Sequence, residues 1–147
     1  AEQRIEGFRA EIAEHPSFQI VAEADCSGQL ERAMPAMEKM LMEHPEIDTV
    51  MALNDPAALG AIAALQSAGR MPGDTMVYGV DGVPESRELI RTGWMTATAV
   101  QSPRGIGRMA AEEAYRILSG ESAADIDLPT RLLTRANMDE NDDGGWD

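Results

Sequence analysis

Apolar residues return along the chain at two periods. In "RIEGFRAEI", Ile5, Phe8 and Ile12 recur at helical spacing, which predicts an amphipathic helix over residues 3–14. His15-Pro16 ends it, because a residue before proline is pushed out of the α region. "FQIVAEA" (18–24) reads as a short strand, and "SGQLERAMPAMEKMLMEH" (27–44) as a helix with Leu30, Met34, Met37 and Leu41 on one face. Pro35 lies too deep to be a first-turn proline, so a late start or a kink is expected there. "DTVMAL" (48–53) reads as a buried strand, followed by a helix over 55–68 that Gly69 closes. "TMVYGV" (75–80) is the third strand; a short helix runs from Pro84 to about Arg91. "MTATAV" (95–100) is the fourth strand, residues 103–118 form a long helix stopped near Gly120, and "TRLLTR" (130–135) is a fifth strand.

Strands alternating with helices predict an α/β fold: an open parallel sheet with helices on both faces. The 147 residues suit a single domain. An open α/β domain usually begins with a strand, whereas this chain begins with a helix; the expectation is that a strand upstream of it is missing.

Charge narrows the partners. With 12 Lys and Arg against 26 Asp and Glu, the net charge is −14. Nucleic acid is excluded as a partner, because neutralising phosphates needs a basic face, and so is docking on an anionic membrane surface. A neutral small ligand fits better. Cys26 is the only cysteine, so neither an internal disulfide nor a thiol metal cluster is expected. No apolar stretch approaches the ~20 residues that span a bilayer, and no charged-then-apolar signal segment opens the chain.

In an open parallel sheet, ligands bind beyond the carboxyl ends of the strands. There the sequence places Asn54 and Asp55, then Asp81 and Gly82, then Gln101. The plain reading of Asp55 before Pro56 is a helix N-cap. Capping needs only one residue, however, and Asn54, Asp81 and Gln101 repeat a polar group at successive strand tips. Amide and carboxylate groups in close array offer the donors and acceptors that a polyhydroxylated, uncharged ligand requires.

Other motifs are weaker. "GIGRMA" (105–110) matches a dinucleotide loop, but Gln101 to Arg104 separate it from the strand, where a tight turn needs the glycine at once. "DENDDG" (139–144) resembles the first half of a calcium loop, yet the chain ends before the twelfth position. His15 and His44 have no neighbouring ligand at metal spacing. No nucleophile elbow or phosphate loop is present, so no catalytic residue, cofactor or metal is assigned. The methionines at 34, 37, 40, 42 and 51 read as core filler.

Taken together, "RIEGFRAEI", "HPEIDTVMALNDPAALGAIAALQSAG", "VYGVDGVPE", "LIRTGWMTATAVQSP" and "LPTRLLTRAN" resemble, from about Arg4 to Asn137, the carboxyl-terminal half of a type I periplasmic sugar-binding protein of the ribose-binding branch. The resemblance implies two α/β lobes that close on a sugar, an ABC importer permease as partner, an extracytoplasmic (periplasmic) location and no catalysis. It assigns ligand contacts to Arg4, before "xxGF", to Asn54, Asp81 and Gln101. It further implies a sugar-binding lobe over 1–101 lacking its first strand, a segment 102–137 crossing to the absent amino-terminal lobe, and a polar acidic tail over 138–147. The helix at 103–118 and the strand at 130–135 would belong to that other lobe, and the isolated half is expected to self-associate. The sequence departs from the pattern where the family stacks an aromatic ring on the sugar: none stands near Gly28, and Val80 precedes Asp81. Stacking is then expected from the other half, or the ligand is not a flat pyranose. The alternative is the effector-binding core of a LacI-type transcription regulator, which shares the fold; "TGWMTATAVQSP" resembles the transport proteins more closely.

Overall fold

The computed structural model describes residues 2–123 and 125–138. Nine elements follow in order: α1 (Glu2–Ala13), α2 (Leu30–Glu43), β1 (Thr49–Met51), α3 (Asp55–Ser67), β2 (Met76–Asp81), α4 (Pro84–Thr92), β3 (Ala97–Val100), α5 (Pro103–Leu118) and β4 (Arg131–Thr134). The sheet order is β1-β2-β3-β4. The first three strands are parallel, with Met51 opposite Tyr78 and Tyr78 opposite Ala97. The fourth is antiparallel, pairing Val100 with Arg131 and Ala97 with Thr134. The sheet is therefore mixed rather than wholly parallel. The strand at 130–135, expected to belong to another lobe, pairs here with β3 at the edge of this sheet.

The steps from β1 to β2 and from β2 to β3 move across the sheet in one direction. Right-handed crossovers then put α3 and α4 on the same face, and the main core lies beneath them. Leu65 of α3, Val77 of β2, Ile90 of α4 and Leu133 of β4 are each at most 1% exposed. Side chains alternate along a strand, so Met51, Met76 and Leu132 point to the opposite face, where they stay 38–55% exposed.

The alanine-rich α3 has no polar face because it packs on two sides, against the sheet and against α2. A Cβ on Gly60 would stand 2.5 Å from the Leu30 carbonyl oxygen and 2.8 Å from Ala33 Cβ. Small residues thus let the two helix backbones approach closely. α2 runs through Pro35 without the expected late start. Burial of Ala33 and Met37 against α3 outweighs the one backbone bond that proline removes.

Residues 18–24 form no strand. Phe18, Ile20 and Val21 are 41–50% exposed, and among the described residues no backbone hydrogen bond reaches 19–25. Among the described residues β1 pairs only with β2, so its outer edge has no partner there. Alternation in sequence creates the potential for a strand, but a ladder needs a partner. Of the segment expected as a tail, Met138 is buried in the core at 5% exposure. The remainder, with the "DENDDG" motif, lies outside the described residues.

Candidate functional site at the carboxyl edge of the sheet

A polar residue stands at or just beyond the carboxyl end of each parallel strand: Asn54 after β1, Asp81 at the end of β2 and Gln101 after β3. Asn54, not Asp55, caps α3: extended at φ −154°, it accepts the Ala57 N–H through its side chain. That bond is 3.1 Å long, and Asn54 Nδ2 donates to the Gly28 carbonyl at 2.9 Å. The amide is thereby fixed between the 25–28 loop and the helix start, half-buried, with one N–H and one lone pair left for a further partner.

Asp81 closes β2 with φ at 126°, a region that non-glycine residues seldom occupy. Its carboxylate accepts from Gln101 Nε2 at 2.6 Å. Gln101 lies directly after β3, and its backbone N–H donates to the Asp81 carbonyl at 3.3 Å. Arg4, in the first turn of α1, donates to the Leu53 carbonyl at 2.5 Å and stands 3.8 Å from the Asp81 carboxylate. Arg4, Asp81 and Gln101 are thus joined directly. Asn54 follows the residue whose carbonyl Arg4 holds. All four sequence-predicted residues meet at one edge of the sheet.

The residue that sequence reasoning misjudged is Asp55. Its carboxylate is fully buried. It accepts from the backbone N–H groups of Gly82 at 2.8 Å and Val83 at 2.9 Å, and from the Thr98 hydroxyl at 2.7 Å. Burial pushes its carboxyl above the ordinary aspartate range; the bonds from Thr98, Val83 and Gly82 oppose that rise. The nearby Ser86 hydroxyl also favours the ionised form, although it makes no hydrogen bond of good geometry. The available signal was "GVDG", whose glycines at 79 and 82 flank Asp81.

The cluster lies on an open edge. Two shallow hollows lie elsewhere, along α5: one is lined by Arg108, Ala111, Glu112, Tyr115 and Arg116, the other by Ile106, Met109, Ile126 and Leu128. Neither is lined by Arg4, Asn54, Asp81 or Gln101. Among the described residues no group of three His, Cys, Asp or Glu is spaced to hold a metal ion.

In an α/β sheet, polar residues converging beyond the carboxyl ends of the parallel strands stand where such folds bind ligands. Comparison with known proteins places this one: the periplasmic binding protein domain family matches residues 1–122, and the chain belongs to that family. It is 37% identical over 121 residues to the ribose import binding protein RbsB of Salmonella typhimurium, covering 82% of this chain and 40% of that protein. With the D-allose-binding periplasmic protein of Escherichia coli the figures are 28% over 138 residues, 90% and 44%. A Bacillus halodurans ABC transporter solute-binding protein with bound myo-inositol superposes with a TM-score of 0.87 at 34% identity, covering 93% of this chain and 47% of that one. The chain therefore spans less than half the length of these relatives.

Proposed function

We propose that this chain forms one lobe of a non-catalytic, extracytoplasmic receptor that captures a sugar or polyol and delivers it to an ABC importer. The observation carrying this reading is the network of Arg4, Asp81 and Gln101 beside Asn54, four hydrogen-bonding side chains at one sheet edge. Such a set matches vicinal hydroxyls, which donate to carboxylate and amide oxygens and accept from guanidinium and amide N–H groups. Bonds to the charged groups contribute roughly 1.5–3 kcal/mol each and neutral ones ~1 kcal/mol. A facing amino-terminal lobe would supply the second wall and exclude water. The net charge of −14 suits a neutral ligand. The relatives named above bind ribose, allose and inositol, which favours a transport receptor over a LacI-type regulator.

The test is calorimetric titration of the complete gene product with D-ribose, D-allose, myo-inositol and glycerol. The expected outcome is one ligand bound near ~1 μM, about −8 kcal/mol. A folded protein that binds none of the four overturns the proposal.

A further inference from the structure

Asp55 is costly to bury and is not needed to start its own helix, since Asn54 already accepts the Ala57 N–H. Its bonds all go elsewhere. Two reach residues 27 and 28 positions along the chain, Gly82 and Val83; the third reaches Thr98, 43 positions away. Space is reserved for it: a Cβ on Gly79 would stand 2.3 Å from Asp55 Oδ1.

What these bonds hold is the turn that aims Asp81. Gly82 and Val83 follow Asp81 directly, and Asp81 keeps a φ of 126°. An unfavourable backbone conformation persists only where its surroundings fix it. With both following N–H groups clamped, the turn cannot relax. The Asp81 carboxylate then stays 2.6 Å from Gln101 Nε2 and within 3.8 Å of Arg4. Thr98 lies three residues before Gln101, so the same carboxylate ties β3 to the turn. We propose that Asp55 is the positioning residue of the ligand site: it touches no ligand but sets Asp81, and through it Gln101 and Arg4, in the binding geometry. This rests on the functional reading above.

Asp55→Ala in the complete gene product should weaken binding of the preferred sugar by about 30-fold, as loss of a buried hydrogen-bonded network does. Asp55→Asn keeps an oxygen for Gly82 and Val83 and offers an N–H to the Thr98 oxygen, and it should bind within about 3-fold of the original protein. Because Asp55 acts through Asp81, Asp55→Ala should lose no more than about 3-fold further on an Asp81→Ala background. Additive losses, or no loss, overturn the proposal. If Asp55→Ala does not fold, Thr98→Val replaces it, with about a 5-fold loss that likewise vanishes without Asp81. A second readout needs no ligand: the Gln101 side-chain amide resonance should move toward that of free glutamine in Asp55→Ala or Thr98→Val. If no sugar binds the original protein, the functional reading fails while this readout still decides the positioning role; an unmoved Gln101 resonance overturns it.

Discussion

α3 and α5 are both long helices that start with proline at the first turn, yet they have opposite fates. α3 buries eight of its 13 residues, among them Ala58, Ala64 and Leu65. α5 buries none of its 16, and Ile117 and Leu118 remain 50% and 87% exposed. α1 likewise buries none. The difference is not hydrophobicity alone, since α5 has the more pronounced apolar stripe. α3 has a sheet on one side and α2 on the other, whereas α5 departs from the sheet after Gln101 and returns only through β4. An amphipathic pattern thus announces that a face requires cover; it does not identify the cover. The proposed ligand site straddles this divide: Asn54, Asp81 and Gln101 stem from the packed region, and Arg4 from α1, which buries no residue.

The widest consequence concerns the 147-residue chain by itself. If a closed two-lobed receptor binds at about −8 kcal/mol, one wall with half the contacts retains at best about −4, near 1 mM. Without a facing lobe, water also weakens each bond at the edge. The exposed apolar residues of α5 and β4, Ile106, Ile117 and Leu132, should drive self-association. Light scattering coupled to size exclusion should show a mass that rises with concentration, and titration should give no sugar affinity tighter than about 1 mM. A monomer with micromolar affinity would erase the distinction between the two regions.

The next effect contrasts one leucine from each region. Leu65→Ala empties a fully packed position, 1% exposed, and should lower stability by about 3 kcal/mol. Leu118→Ala removes a side chain that is 87% exposed and should stay within about 0.5 kcal/mol. Urea unfolding of both variants measures the gap; similar losses would mean that α5 is packed as tightly as α3.

Local chemistry made much of this legible in the sequence. The bounds of α5 are those expected, because Pro103 and Gly120 punctuate both ends. Arg4, Asn54, Asp81 and Gln101 were legible from strand ends and from family likeness, and the structure brings them together. What escaped depends on partners distant in the chain. Residues 18–24 alternate like a strand but lack a neighbour. β4 carries no mark of its direction, so its antiparallel pairing with β3 could not be read. Asn54 and Asp55 are both good N-cap types side by side. Only the turn 27 residues later explains why the first caps and the second is buried.

The smallest difference is expected between two residues of the proposed site. Asp81 and Gln101 form one hydrogen-bonded pair, so each substitution leaves the other without it. Charge separates them: a carboxylate accepting from hydroxyls or from Arg4 forms stronger bonds than a neutral amide. Asp81→Ala should cost ~2–4 kcal/mol of binding and Gln101→Ala ~1–2. Asp81→Gly separates aim from backbone strain. It removes the same carboxylate but accommodates a φ of 126°, so it should bind as weakly as Asp81→Ala while being about 1 kcal/mol more stable. Calorimetric titration of the three variants in the complete gene product, beside their thermal unfolding, checks both orders. Equal binding losses for Asp81→Ala and Gln101→Ala would show that the amide matters as much as the charge. Unchanged affinity in either variant would remove that residue from the site.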